Sequence, residues 1–222
     1  MARYAMRLFT DRMAPESAHA LAAGTNRVLY CAAGSARVRA GGMIAALAVN
    51  SAWHGSGGAE IESGAGGARL LRWELVRVGA PGLLPAADPG IDSKLTLMAE
   101  FELDPAVPAL MRCDRVNMPA GTVRHLHVQA GPGIRCLQSG NFHLELDGVA
   151  RDYAPGEAWF ERGPDPVFAA GSKSETSHFI RVLVLPASYR GQPSSRTLNP
   201  ADDAKPQPRT AEIFVDEPIA LP

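Results

Sequence analysis

Three observations predict an all-β fold. The chain carries 22 Gly and 18 Pro, about 18% of its 222 residues, against roughly 12% in average usage, so turns are frequent and strands short. Apolar residues recur at period two in short runs bounded by Gly, Pro and Asp, which is the signature of half-buried strands. The chain also resembles itself. Residues 13–60 set against 119–166, an offset of 106, align Gly34 with Gly140, Gly42 with Gly148, Trp53 with Trp159, Gly57 with Gly163 and His19 with His125. Five identities at one offset, most of them at turns or apolar anchors, predict two copies of one β unit, each a sandwich or barrel.

Taken in order, only Pro15–Leu21 hints at a helical turn. Arg27-Val-Leu-Tyr-Cys-Ala-Ala-Gly34-Ser-Ala-Arg-Val-Arg and Gly133-Ile-Arg-Cys-Leu-Gln-Ser-Gly140-Asn-Phe-His-Leu-Glu share a rhythm of strand, glycine, strand. Phe142-His-Leu-Glu-Leu alternates and runs into Asp147-Gly148, a tight hairpin signal. Ala158–Glu161 reads as a short strand between two Gly/Pro turns, and Phe179–Leu185 as a closing strand stopped by Pro186. Arg69–Val78 plays the closing part in the first copy. The expected organisation is a first barrel over 1–78, a linker over 79–92 rich in Pro and Gly, a second barrel over 93–186, and an extended arm over 187–222. The arm regains apolar character over 211–221, so it should add a strand to a sheet of its own chain or of a partner. The second option predicts a homodimer through the C-terminal arm.

Composition narrows the function. With 22 Lys+Arg against 23 Asp+Glu the net charge is −1, so no basic field exists to hold nucleic acid. Three cysteines, Cys31, Cys113 and Cys136, have no CxxC spacing, which excludes a disulfide scaffold or zinc ribbon and suits a reducing cytoplasm. The first residues are interrupted by charge and no apolar run is long enough for a membrane span, so a soluble, cytoplasmic protein is expected. Neither a phosphate-binding glycine loop nor a GxSxG nucleophile elbow occurs.

The second copy resembles the cupins, a family of small jelly-roll barrels. From Gly121, five residues lead to His127, then Val128 and Gln129; three more lead to Gly133 and six more to Gly140. That spacing matches the first cupin motif, Gly-x5-His-x-His-x3,4-Glu-x6-Gly, with Gln129 at the second His and Gly133 at the Glu. The second motif is poorly kept: Arg162-Gly-Pro164 stands where Pro-x-Gly belongs, and Val167 stands at the last His. Glycine spacing, strand pattern and duplication together imply tandem cupin double-stranded β-helix barrels, a bicupin, whose amino-terminal barrel is mainly structural.

The resemblance also implies a metal site. On a strand, residues two apart face one side, so His125, His127 and Gln129 project together into the barrel provided His127 does. Mapping by spacing selects His127 and Gln129; mapping by the His-x-His text selects His125 and His127. Glu161, just before the second motif's turn, is the candidate for the missing carboxylate, with His178 in reserve. Two His and one carboxylate would hold Fe(II), Mn, Ni or Zn with open positions, as in a dioxygenase; an isomerase or lyase using the metal as a Lewis acid fits equally. Arg135, two residues after Gly133, shares the inward face, and with Gln129 it would bind a small anionic organic substrate. The alternatives are an ion pair of Glu161 with Arg135 or Arg162, and a metal-free binding or sensing module without catalysis.

Overall fold

The computed structural model describes residues 1–79, 90–206 and 208–222, with the backbone alone at 203. The chain divides into two compact units, one made of residues 1–106 with 220–222, the other of residues 107–219. No helix among the described residues is long and apolar enough to cross a membrane.

The first unit contains β1 (Ala2–Met13), β2 (Ala18–Leu21), β3 (Asn26–Ala40), β4 (Met43–Leu47), β5 (Ala52–Gly55), β6 (Ala59–Arg77) and β7 (Ile91–Leu103). They form one antiparallel sheet in the order β4-β3-β6-β1-β7, with β2 also paired to β6 and β5 to β3. The long strands β3 and β6 shift register at Cys31/Ala33 and Gly34/Ala36. Gly34 has φ +72°, and a Cβ there would stand 2.1 Å from Gly67 O, so only glycine allows the two strands to approach where they bend. Leu29, Cys31, Val38, Leu47, Ile61 and Leu70 lead the apolar core. The helical turn expected within Pro15–Leu21 is instead a tight turn, with Glu16 at φ 53°, followed by β2.

The second unit contains β8 (Ala109–Met118), β9 (Val123–Gln129), β10 (Gly133–Ser139), β11 (Phe142–Leu146), β12 (Val149–Tyr153), β13 (Ala158–Glu161), β14 (Val167–Gly171), β15 (Ser177–Pro186), β16 (Ser195–Thr197), a short helix α1 (Pro200–Asp203) and β17 (Thr210–Ile219). Two five-stranded sheets result, β13-β10-β15-β8-β17 and β12-β11-β14-β9-β16. One core joins them: Val116, Leu137, Trp159 and Phe179 from the first, Phe142, Leu144, Val167 and Ala169 from the second. This is the all-β jelly-roll expected. Asp147 and Gly148 both have positive φ, 52° and 74°, as the two-residue turn between β11 and β12 requires.

The internal repeat is visible in register. Leu29 stands opposite Trp53 as Arg135 stands opposite Trp159. Gly34 and Gly140 share φ near +70°, and Gly42 and Gly148 share it near +80° and +74°.

Two boundaries differ from expectation. Residues 80–89 of the expected linker lie outside the described residues, and Ile91 already opens β7, which pairs along β1 and belongs to the first unit. Each unit therefore ends on a strand laid beside its own first strand, β7 on β1 and β17 on β8. The tail also does more than extend. It adds β16 to β9, turns through α1 and then returns as β17. β17 finds its ladder on the chain's own β8, the first of the two options for the arm; the homodimer through the C-terminal arm stays an expectation.

Asp216 on β17 accepts from Arg112 Nε at 2.8 Å and Nη2 at 3.1 Å, and Arg112 is only 2% exposed. Asp216→Ala is expected to cost about 2 kcal/mol of unfolding free energy by stranding that guanidinium. Glu217→Ala removes an exposed partner of Arg190 at 3.3 Å and should stay within about 0.5 kcal/mol. Urea denaturation of both variants measures the difference.

Candidate functional site

The interior of the second unit is layered. Across the β8 sheet, Trp159, Arg135, Arg181 and Asp114 stand opposite one another on β13, β10, β15 and β8, so their side chains share the inward face. One row toward one end, Phe179, Leu137 and Val116 meet Phe142 of the other sheet. Trp159 caps that floor, its ring stacked on Phe142 at 4.7 Å and edge-on to Phe179 at 5.2 Å. One row toward the other end lie Glu161, Gly133 and Leu183. A layer of charge thus sits on an aromatic floor.

Buried charge persists only when paired and hydrogen-bonded. Asp114 takes Arg181 through Nε at 2.6 Å and Nη2 at 2.9 Å. Burial works against the Arg181 charge, but Asp114 outweighs it and holds the pKa above its usual value. Arg135 and Glu161 form the second pair, Nη2 to Oε2 at 2.8 Å. These two atoms approach off-axis, and neither has an aligned hydrogen bond. Glu161 Oε1 accepts from Trp159 Nε1 at 2.9 Å, while Arg135 Nη1 donates to Gly133 O at 2.5 Å. Burial, with Arg181 adding repulsion and Glu161 only partly offsetting, lowers the Arg135 pKa to about 10.

The opposite wall is β9, and here the paired histidines separate. Val167 pairs with His127 but Ala169 pairs with Arg124: two steps along β14 face three along β9. That is a β-bulge, and it breaks the two-residue alternation. Arg124 and His127 are both buried, whereas Leu126 is 48% exposed. His125 is displaced from the face of His127 and lies near Asp202 of α1, whose pKa it helps to lower behind Lys205. The expectation that His125 and His127 grip one ion is therefore not met. Gln129 does face inward, its Oε1 accepting from Arg181 Nη1 at 3.4 Å.

His127 Nδ1 lies 2.9 Å from His125 O. A carbonyl can only accept, so Nδ1 carries the proton and Nε2 the lone pair. Burial lowers the His127 pKa to about 4; Glu161 pulls it up, and Arg124 and Arg209 push it down.

The tail completes the wall, a contribution sequence reading missed because 187–210 looks like polar linker. Ser195 and Thr197 of β16 stand opposite Gln129 and His127. Ser194 Oγ accepts from Arg181 Nη2 at 3.2 Å, Thr197 Oγ1 from Arg124 Nη1 at 2.8 Å and Ser195 Oγ from Arg209 Nη2 at 3.4 Å. Burial, then Arg124 and Arg181, lower the Arg209 pKa to about 10. A cavity of about 200 Å³ adjoins this region, lined by Gln129, Ser194, Ser195, Tyr189 and Pro164 among others. Larger grooves of about 600 Å³ lie beside His143 and Lys173 and of about 370 Å³ beside Arg39 and Met43; the smaller cavity differs from both in that its Gln129 and Ser194 bond the buried Arg181.

The residues do not fit a divalent metal. Among the described residues, no three His, Cys, Asp or Glu side chains are grouped to hold one ion. Glu161, the expected carboxylate ligand, is engaged by Arg135 and Trp159. Val167 belongs to the apolar core. At Gly133 a Cβ would stand 2.3 Å from Val182 O, so no ligand side chain has room. His178, the reserve ligand, alternates with inward-facing Phe179 and bonds Ser139 Oγ at 2.5 Å, away from His127. Converging guanidinium groups would repel a cation.

The unfolded chain takes up a proton on residue 127 below pH 6.5, whereas the folded chain resists until about pH 4. Its contribution to stability therefore falls as pH drops through that window, by on the order of 3 kcal/mol at pH 4. Urea melts from pH 7 to 4 should show a steeper loss for wild type than for His127→Asn. Nitrogen NMR of labelled histidine should show the Nδ1–H tautomer of His127 unchanged from pH 8 to 5.

No protein-family model matches the chain, and no curated protein sequence matches it. Solved structures do. Bacillus subtilis oxalate decarboxylase OxdC is similar at a TM-score of 0.63 with 14% identity, over 90% of this chain and 73% of that one. AerE from Microcystis aeruginosa is similar at 0.59 with 12% identity, over 80% of this chain and 87% of that one. Another structure of the oxalate decarboxylase, at 13% identity, concerns its Mn(II) centres. At such identities the likeness establishes architecture alone: the chain has a cupin-like jelly-roll fold.

Proposed function

We propose that this chain is a tandem cupin whose second unit is a metal-free binding barrel for a small organic anion. The observation that carries the proposal is the fate of Glu161. Its carboxylate is held by Arg135 at 2.8 Å and by Trp159 at 2.9 Å, so the position from which a metal would be ligated serves a guanidinium instead. Arginines suit carboxylate and phosphate groups, and Gln129 and the β16 hydroxyls add neutral donors. Oxalate decarboxylase is named for a small dicarboxylate, which agrees with an anionic ligand, but the donors present here do not favour the metal-dependent dioxygenase expectation.

The first unit supports a structural role for itself. Leu29 stands where the second unit has Arg135. Its buried cations are taken up within the unit: Arg72 binds Asp11 at 2.6 Å and Glu74 at 2.5 Å, Arg7 binds Glu74 at 3.0 Å, and Arg27, 4.0 Å from Glu74, donates to the carbonyls of Gly57 and Ala22.

The test is thermal unfolding of purified protein with Mn(II) or Fe(II) under anaerobic conditions, and separately with small carboxylates at matched ionic strength, alongside elemental analysis. Carboxylates are expected to raise Tm and the metals to leave it unchanged. Near-stoichiometric metal that disappears in His127→Ala would overturn the proposal.

A further inference from the structure

Arg181 has Asp114 and Arg135 has Glu161, but Arg209 has no carboxylate among the described residues. Its guanidinium makes one contact, to Ser195 at 3.4 Å, and its Nε is buried with no hydrogen-bond partner. A half-buried cation with one weak contact is short of an anion. Its surroundings say what else that anion carries. Ser195 and Thr197 are two residues apart on β16, so their side chains face the same way about 7 Å apart, beside Gln129 and His127 on the neighbouring strand, and Gln129 and Ser195 line the cavity of about 200 Å³. His127 gives its Nδ1 proton to His125 O at 2.9 Å, and its Nε2 lone pair meets no donor among the described residues. A lone pair beside a guanidinium calls for a ligand bearing both a negative group and a neutral O–H. An ammonium donor would be repelled by Arg209 and Arg124.

We propose that the ligand is a small hydroxy acid, its carboxylate received by Arg209 from the tail and its hydroxyl donating to His127 Nε2. The proposal rests on the anion-binding function above and adds two things to it: the ligand class, and the tail as part of the site. The β16 strand and Arg209 are then a wall of the pocket.

The experiment is an NMR titration of the full chain with glycolate and with acetate, which differ by the hydroxyl alone, at matched ionic strength. Glycolate is expected to bind about tenfold more tightly, the worth of one hydrogen bond to the imidazole. Arg209→Gln should weaken glycolate about tenfold and Arg209→Lys less. His127→Phe should bring glycolate down to the acetate level without weakening acetate. Retention of the downfield Trp159 indole signal, bonded to Glu161, checks that each variant is folded. Equal binding of glycolate and acetate by wild type overturns the hydroxy-acid assignment and leaves the anion-binding function standing; that comparison needs no variant. Unchanged glycolate affinity in folded Arg209→Gln removes the tail from the site. Binding of neither probe at tens of millimolar overturns the inference and the anion-binding function together.

Discussion

Charge inside the second barrel sets the terms for everything around it. Two guanidinium groups side by side on β10 and β15 repel each other, and each loses hydration on burial. Asp114 and Glu161 are the compensation, and both arrive from strands of the same sheet, one on each side of the arginine pair. Removing either carboxylate would leave a buried cation, the costly kind of loss. Trp159 then spends its indole N–H on Glu161 and its ring on the aromatic floor, so the charge layer and the apolar layer are locked by one residue. The remaining polar contacts to Arg181, from Gln129 and Ser194, trim what Asp114 leaves unsatisfied.

The same constraint explains why the second unit departs from a metal-binding barrel. A metal site needs carboxylate and imidazole lone pairs free to converge. Here the carboxylate is spent on arginine, the imidazoles are parted by the bulge on β9, and Gly133 lies too close to Val182 for any longer side chain. These three facts are independent, and each removes a ligand position that a divalent cation would need.

Much of this was legible in the sequence and some was not, for physical reasons. The strands were legible because alternation and Gly/Pro punctuation are local. The repeated pattern could be read because Gly34 and Gly140 both hold φ near +70° and Trp53 and Trp159 stand at matching register positions, opposite Leu29 and Arg135. Arg135 was read correctly as inward-facing, and its pairing with Glu161 was one of the alternatives. His125 was misread because period-two reasoning assumes an unbroken ladder, and nothing in Val123–Gln129 announces a bulge. The strand in β7 hid behind a Pro-rich stretch, and β16 behind a run of Gly, Ser and Pro. The role of Arg209 depends on a return of the chain that no local pattern encodes.

The two units show how little must change for a repeat to acquire a site. Their frames agree in turn glycines, in the Trp on the short strand and in the arginine at Arg72 and Arg181, each inward on the long closing strand. They differ in how completely that arginine's neighbourhood is neutralised. In the first unit Arg72 is shared between Asp11 and Glu74, Ser93 also bonds Asp11 at 2.7 Å, and the guanidinium lies over the Phe9 ring at 4.3 Å. In the second unit Arg181 has one carboxylate, and the tail brings in Arg209, which forms no salt bridge among the described residues and is acted on by Asp114 only through space. Both units bury more arginine than the carboxylates beside it, but the first unit's surplus, Arg27, is filled by the carbonyls of Gly57 and Ala22, whereas Arg209 has one weak bond, to Ser195 at 3.4 Å. On this argument the proposed anion affinity of the second unit rests on Arg209, a cation with most of its hydrogen-bonding capacity unfilled among the described residues, and β16 supplies the hydroxyls beside it.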